Sequence, residues 1–159
     1  MGISVCYTNL YFTIKLTEID GCHDKEIILY GYSSDINKYF TISDNIIKNS
    51  PYEDGITLYT QSTDGIIENN LVENCSRYGI ILNPTIERVI VRNNVVKNCG
   101  QALFVGNSNN TIEDNYLEGI GHFGRVPASK RASVYISSCN GGTLKRCTIS
   151  QVDKTAQLL

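Results

Sequence analysis

Apolar and polar positions repeat along this chain with a nearly constant spacing. Four segments, 41–50, 66–75, 90–99 and 111–120, align without gaps. One asparagine recurs in all four, at Asn45, Asn70, Asn94 and Asn115, in steps of 25, 24 and 21 residues. Weaker copies at 12–22 and 144–149 bring the number of repeats to six. Repetition at this period is typical of solenoids and other repeat architectures.

Each repeat also carries a second short apolar stretch, and together these indicate β-strands. The second stretches are 26–29, 55–58, 79–82, 102–105 and 133–136. A unit of two or three short strands cannot bury its own apolar face, but stacked units can, with strands about 4.8 Å apart. The leucine signature of a leucine-rich repeat is absent. We therefore predict an all-β fold, a parallel β-helix of about six rungs with a repeat of 21–28 residues.

The recurring asparagine and the cysteines fit the interior corners of such a stack. Stacked asparagine amides can bond to the next rung, so we expect a ladder that ends where Thr17 and Cys147 interrupt it. Cys22, Cys75 and Cys99 share one repeat position with Ser50, which suits a buried corner. Free thiols are the simpler prediction, and a Cys75–Cys99 disulfide stays open. No cysteine has the spacing of a zinc site, so no metal site is predicted.

Composition and charge narrow the functional classes. The chain has 159 residues, with 20 Ile and 16 Asn against 4 Ala, which favours strands and turns over helices. Its net charge is −2 and only 19% of its residues are charged. Such a surface has no general electrostatic attraction for nucleic acid, and no apolar run is long enough to span a bilayer. Neither nucleic acid nor membrane is expected as a partner.

Alternation along the second strands predicts an apolar and aromatic stripe on the outside of the solenoid. Four of its members are aromatic, Tyr30, Tyr59, Phe104 and Tyr135, and they are our candidates for substrate binding. Contiguous apolar surface of this kind usually marks a partner or a ligand. Three interpretations remain open: contact between copies in a homotrimer, stacking of sugar rings on the aromatic side chains, and covering by the chain itself.

The pattern Ile-x-Asn-Asn-x-Val-x-Asn-Cys, followed by Gly-Ile-x-Leu, resembles the repeats of the pectate-lyase-like superfamily. The resemblance is strong over residues 40–120. It implies a right-handed parallel β-helix and a location outside the cell or on a virion surface. Its members include polysaccharide lyases and hydrolases, uronan epimerases and phage tailspikes. Calcium is the one cofactor that the resemblance implies, whereas the residues themselves predict none.

An insertion at 119–132 carries the candidate catalytic residues. It concentrates one histidine and three cations, His122, Arg125, Lys130 and Arg131, on what is often the binding face of a solenoid. Arg125 to Lys130 resembles the Arg-x-Pro-x-x-Arg motif of pectate lyases, with lysine in place of the second arginine. We predict His122, Arg125 and Lys130 as catalytic and Arg131 as substrate-binding, because arginine and lysine bind carboxylates.

Two functions follow from these patterns. The first is a glycan-binding or glycan-degrading β-helix domain, lyase- or hydrolase-like, acting on an acidic polysaccharide. The alternative is a structural, receptor-binding segment of a trimeric phage tailspike or appendage without its own catalytic site. Residues 1–159 are predicted to form one domain, a fragment of a longer protein, because neither end resembles the polar cap that a solenoid needs. Flanking domains of that protein are expected as further partners.

Overall fold

The protein is built from short parallel β-strands wound into a solenoid. The computed structural model describes residues 2–31, 35–106, 109–120, 132–137 and 141–152. Within these ranges the chain forms 21 strands in four parallel sheets and no helix. In the same part of the chain there is accordingly no helix long and apolar enough to cross a membrane.

Each turn of the chain contributes one strand to sheets A, C and D in order, the first three turns also contribute one to sheet B, and the strands are numbered along the chain. Sheet A contains β1 (Ile3–Cys6), β5 (Ile27–Tyr30), β9 (Ile56–Leu58), β13 (Tyr78–Leu82), β16 (Gln101–Val105) and β19 (Val134–Ile136). Sheet B contains β2 (Asn9–Leu10), β6 (Asn37–Lys38) and β10 (Ser62–Thr63). Sheet C contains β3 (Thr13–Lys15), β7 (Thr41–Ser43), β11 (Ile66–Glu68), β14 (Ile90–Arg92), β17 (Thr111–Glu113) and β20 (Thr143–Lys145). Sheet D contains β4 (Glu18–Asp20), β8 (Ile46–Lys48), β12 (Leu71–Glu73), β15 (Val95–Cys99), β18 (Tyr116–Gly119) and β21 (Thr148–Gln151).

The register of the strands confirms the repeat that the sequence predicts. Leu71 pairs with Ile46 on one side and Val95 on the other, which is one repeat in each direction. Sheets A, C and D each stack six strands, but the sheet-B side is paired only through the first four rungs, so about four turns are complete and the predicted count of six rungs is slightly too high. Strands at its ends lack a neighbour on one side. There, Leu144 of β20 and Ile149 of β21 are 42% and 48% exposed.

The core is a set of aliphatic columns that run along the solenoid axis. Sheet C contributes Ile42, Ile67 and Val91, and their side chains are completely buried. Every second residue of a strand points to the same face, so one β-branched residue per short strand suffices to continue a column. The other columns contain Ile47, Val72, Val96 and Leu117 in sheet D, and Ile27, Ile56, Ile80 and Leu103 in sheet A.

The predicted asparagine ladder is present at the corner between sheets C and D. The side-chain Nδ2 of Asn45 donates to Oδ1 of Asn70 at 2.9 Å, Asn70 donates to Asn94 at 2.9 Å, and Asn94 donates to Asn115 at 3.0 Å. Each Oδ1 also accepts the backbone N–H of the preceding rung's asparagine. The ladder ends as expected, on the backbone N–H of Thr17 and near the sulfur of Cys147.

The residue before each ladder asparagine makes the sharp turn. Asp44, Asn69, Asn93 and Asp114 have φ between +52° and +56°, in the left-handed region. Asparagine and aspartate tolerate this conformation better than other side chains that carry a Cβ. The two residues therefore have different roles. The first makes the turn of the chain, and the second forms hydrogen bonds with the buried backbone groups of the corner.

Candidate functional site

The four insertion residues, His122, Arg125, Lys130 and Arg131, lie outside the described residues. Their predicted roles in catalysis and substrate binding therefore stay predictions. The aromatic candidates on sheet A are described, and the structure separates them into two groups.

One group is the stacked pair Tyr30 and Tyr59, with ring centroids 5.1 Å apart. The other contains Phe104 and Tyr135, stacked at 5.7 Å, with Tyr78 edge-on to Phe104 at 5.6 Å. Tyr78 was missed by the sequence analysis, because it lies at the start of its strand, where simple alternation does not assign a face. The four predicted residues thus do not form one continuous surface.

Much of the predicted stripe is buried. Three residues that strand alternation places on this outer face are buried, since Ile81 is 7%, Phe104 6% and Thr57 1% exposed. Since these values refer to a single chain, the expectation of a contiguous exposed stripe is wrong here, and covering by the chain itself is the correct interpretation for this part. Tyr59, at 43% exposed, remains accessible.

A buried carboxyl group lies beside the covered part of sheet A. Asp54 accepts a hydrogen bond from the Thr57 hydroxyl at 3.2 Å and another from the backbone N–H of Tyr78 at 3.3 Å. The guanidinium Nε of Arg77 is 3.8 Å away. Burial raises the pKa of Asp54 above its ordinary value, although Arg77 opposes this shift. A raised pKa suits a general acid, but Asp54 is only 1% exposed and meets no solvent-borne substrate.

The charges around Asp54 neutralise one another. Arg77 forms a short ion pair with Glu53, and the Lys25 ammonium lies 3.6 Å from the same Glu53 carboxylate. The Arg77 guanidinium also lies over the Tyr78 ring, 5.3 Å from its centroid. The charges of this cluster are thus paired mainly with one another at the corner.

Acidification is expected to stabilise the wild-type protein relative to Asp54→Asn. Because the folded-state pKa of Asp54 is raised, its stabilising contribution is fully present below the unfolded pKa and is lost as pH rises through the folded pKa. The variant lacks this titration, while all other carboxylates cancel in the comparison. Thermal unfolding of both proteins across the acidic range checks this, and a difference in Tm that stays constant with pH would contradict it.

An elongated depression on the described surface follows sheet B. One cavity of about 320 Å³ is lined by Thr8, Leu10, Ile36, Lys38 and Tyr39. A second of about 220 Å³ shares Ile36 and Lys38 and adds Gln61, Thr63, Thr85, Glu87 and Arg88. Because they share two residues, the cavities form one channel across four successive rungs, which we call the sheet-B groove. With rungs about 4.8 Å apart, it is roughly 14 Å long.

The electrostatics of the sheet-B groove single out Lys38. Arg88 is held by Asp64, with Nε 2.6 Å from Oδ1, and it also donates to the Thr63 hydroxyl. By contrast, the Lys38 ammonium forms no ion pair with a described residue. Arg88 lowers the pKa of Asp64, and the charge of Lys38 adds to this shift only at longer range. Tyr39 stacks on Tyr11 at 4.8 Å, and the Tyr11 side chain is 77% exposed. Sequence reasoning missed this groove, since sheet B consists of two-residue strands without an apolar pattern.

A smaller depression lies at the corner between sheets D and A. It has a volume of about 240 Å³ and is lined by Ser50, Pro51, Asn74, Cys75, Ser76, Asn98 and Ile120. We call it the corner groove. Exposed amides border it, since Asn74 donates to Asn49 at 2.8 Å and Asn98 donates to Asn74. Cys75 connects this groove to the interior of the solenoid, where its side chain is buried.

The fold and its surfaces define a parallel β-helix repeat protein. A family model described as "Periplasmic copper-binding protein (NosD)" matches residues 4–143. The match covers most of the chain, so the chain belongs to this NosD family, a periplasmic protein family of parallel β-helix type. No curated protein and no solved structure matches the chain.

The family description raises the question of which side chains here could hold copper. Among the residues that the structure describes, no three His, Cys, Asp or Glu side chains converge on one point. Two cysteines do come together as a pair. Cys75 and Cys99 occupy the same corner in adjacent rungs, and both are buried and free. Thiolates are soft ligands and select Cu(I). In the described part of the chain this corner thus offers two soft sulfur donors and no third ligand.

Proposed function

We propose that the protein is a glycan-binding β-helix domain and that an extended acidic polysaccharide lies along the sheet-B groove. The observation that carries the proposal is the continuity of this groove across four rungs. A linear polymer can follow such a channel, because each rung presents the same backbone positions one step further along the axis.

The chemistry of the sheet-B groove supports this ligand class. Hydroxyl and amide groups of Thr8, Gln61 and Thr85 line it and can exchange hydrogen bonds with sugar hydroxyls. Tyr39 adds an aromatic edge with a polar tip. Lys38 supplies an ammonium group that can bind the carboxylate of a uronic acid. Of the predicted binding residues, Tyr30 ends β5 and Tyr59 directly follows β9.

For cleavage of the bound glycan, by a lyase- or hydrolase-like reaction, we propose the insertion residues His122, Arg125 and Lys130, with Arg131 and the tyrosines Tyr30, Tyr59 and Tyr135 as contacts, whereas Phe104 is too deeply buried to touch a glycan. Asp54 is too deeply buried to take part. The tailspike alternative, with a homotrimer on a virion surface, also remains a proposal, and the burial of Ile81 and Phe104 leaves less apolar surface for contact between copies.

Replacing Lys38 by methionine is expected to weaken binding of a uronan about tenfold, which corresponds to one charge-assisted hydrogen bond. Lys48→Met is the matched control, because Lys48 lies on sheet D, where it pairs with Glu18 at 3.0 Å. Isothermal titration with oligogalacturonate and, for comparison, a neutral dextran oligosaccharide measures the effect. Equal affinity of wild type and Lys38→Met for oligogalacturonate would contradict the assignment of the groove.

As a second candidate function we propose that the chain binds Cu(I). The specific observation is the buried pair of free thiols, Cys75 and Cys99, in a member of a family described as copper-binding. Copper would supply a soft, two-coordinate centre there, and the protein would keep water and competing hard ligands away from it.

A further inference from the structure

We propose that the sheet-B groove binds a mixed polysaccharide, in which one uronic acid lies at Lys38 and a neighbouring uncharged sugar stacks on the tyrosine pair Tyr11–Tyr39. This ligand class rests on the proposed glycan function and narrows it in two respects. It fixes the spacing of the carboxylates along the polymer, and it assigns the uncharged sugar to a stacking surface.

The strand register arranges the sheet-B groove in columns that run along the solenoid axis. Leu10 pairs with Lys38, and Lys38 pairs with Thr63. An isolated bridge then joins Thr63 to Glu87, so one column of groove-lining residues crosses four rungs. The next residue of each rung therefore belongs to a second column, which we call the rim column: Tyr11, Tyr39, Asp64 and Arg88.

The rim column changes its chemistry halfway along the groove. In the first two rungs the rings of Tyr11 and Tyr39 stack, with centroids 4.8 Å apart and an angle of 16° between their planes. In the next two rungs Arg88 donates from Nε to Oδ1 of Asp64 at 2.6 Å. The groove thus has an aromatic half and a charged half, and Lys38 belongs to the rung where the two meet.

The two tyrosines of the rim are not core residues. Tyr11 and Tyr39 have φ of +56° and +55°, a left-handed conformation that is strained for a bulky side chain. They are 77% and 48% exposed, so burial does not offset this strain. The residues that follow them, Phe12 and Phe40, supply the rings that pack inside the solenoid. Strained residues of this kind cluster at sites that bind ligands.

The stacked pair leaves an aromatic surface open to solvent. Tyr39 covers one face of the Tyr11 ring, and an exposure of 77% requires that the other face and the edges of Tyr11 are open. A pyranose ring carries C–H groups on its faces, so it buries apolar area against an aromatic ring while its hydroxyls stay in water. Leu10, which is 53% exposed, adds apolar surface beside Tyr11.

The charges along the groove limit how many carboxylates it can bind. The Arg88 guanidinium is neutralised by Asp64 and by Glu87, whose Oε2 lies 3.2 Å from Nη1 of Arg88. Glu87 itself lines the charged half, where it repels an anion. In the aromatic half, Lys38 is the one cation among the described lining residues. A single carboxylate therefore binds at Lys38, and the sugars on both sides of it are favoured when they are uncharged.

The spacing of the rungs sets the order of the sugars. Rungs are about 4.8 Å apart, and one sugar residue advances an extended polysaccharide by a similar length. With the uronic acid at Lys38 in the second rung, its neighbour toward the first rung lies at Tyr11. The neighbour toward the third rung lies beside Gln61 and Thr63, which offer an amide and a hydroxyl to sugar hydroxyls.

The stacking surface is tested with Tyr11→Ala and a half methyl-esterified hexagalacturonate as the ligand. We expect isothermal titration to show about a tenfold loss of affinity, the effect of losing one aromatic contact, and a return to near wild-type affinity in Tyr11→Phe. Tyr52→Ala is the matched control, because Tyr52 is 45% exposed and stacks on His23 at 4.8 Å outside the groove. Its affinity should equal that of the wild type.

The spacing of the carboxylates is tested on the wild type alone. Methyl esterification removes charges from the ligand and leaves its sugar backbone unchanged. We expect the half-esterified hexagalacturonate to bind about threefold more tightly than the fully acidic one at the same ionic strength, the size of an exposed like-charge contact. This measurement does not depend on the folding of any variant.

The outcomes separate this ligand class from the proposed function. If the wild type binds neither form of hexagalacturonate, both are removed. If the wild type binds and Lys38→Met weakens binding, but Tyr11→Ala binds as the wild type does or Tyr11→Phe loses as much as Tyr11→Ala, the stacking surface is overturned and the groove stands. Tighter binding of the fully acidic form overturns the single-carboxylate spacing.

Discussion

Asn70→Ala is expected to lower the free energy of unfolding by about 3–5 kcal/mol, since several buried groups lose their partners together. The Asn70 amide donates to the carbonyls of Ile42 and Glu68 and to Oδ1 of Asn94. Its own Oδ1 accepts the backbone N–H and the side-chain amide of Asn45. The residue is 1% exposed, so water does not replace these partners without opening the corner.

The chain offers a matched control for this substitution. Asn98 belongs to the outer row of amides along the corner groove, where it donates to Asn74 in an exposed setting. Asn98→Ala removes the same chemical group, but water can satisfy what is left; since Asn98 has φ +52°, where alanine is strained, we expect a smaller loss of about 1–2 kcal/mol, part of it from the backbone. Urea unfolding of both variants measures the difference, and equal losses would show that the inner ladder does not carry the stability of the corner.

The asparagine ladder also shows why this fold could be predicted from sequence. A buried amide that bonds to its own copy in the next rung must recur once per rung, so the spacing of Asn45, Asn70, Asn94 and Asn115 reports the rung length directly. The interruption at Thr17 and Cys147 likewise predicted the ends of the ladder. The strand register could be predicted because, at one fixed position of each rung, asparagine is the residue that hydrogen-bonds the buried backbone groups of the corner.

The surfaces were less predictable, for a physical reason. Alternation along a strand tells which side a residue faces, but it does not tell whether another part of the chain covers that side. The Phe104 side chain faces outward and is nevertheless buried. Similarly, Lys38 and Thr85 line one groove because the corners of two different rungs lie side by side. No local sequence pattern predicts this proximity.

The paired thiols illustrate an intermediate case. Their shared repeat position placed Cys75 and Cys99 at one buried corner, and the structure confirms both the burial and the free state. The depression that leads to Cys75 depends on Pro51 and Ile120, which belong to different rungs. The repeat therefore predicts that both cysteines lie in one interior column. The access of solvent to Cys75 depends instead on residues outside the repeat pattern.

Gly65→Ala is expected to destabilise the protein by about 3 kcal/mol, the upper range for overpacking a core. A Cβ built on Gly65 would overlap the ring of Phe40 in the rung below. The Phe40 side chain is 1% exposed and stacks on Phe12 at 5.7 Å, so it has no free direction in which to move. At this point of the interior column, the ring fills the volume that a side chain at position 65 would need.

Relief by a second substitution distinguishes this steric cause from a general effect of replacing glycine. In the Phe40→Leu background, Gly65→Ala should cost less than about 1 kcal/mol, because a smaller side chain leaves room for the methyl group. Gly21→Ala is the control for backbone strain, since Gly21 has φ +73° and no atom within 4 Å of an added Cβ. Urea unfolding of the wild type, the two single variants and the double variant closes the cycle, and Gly21→Ala is measured beside it. If Gly65→Ala lowers the free energy of unfolding equally with Phe40 and with leucine at position 40, a steric clash with the Phe40 ring is not the reason for glycine at position 65.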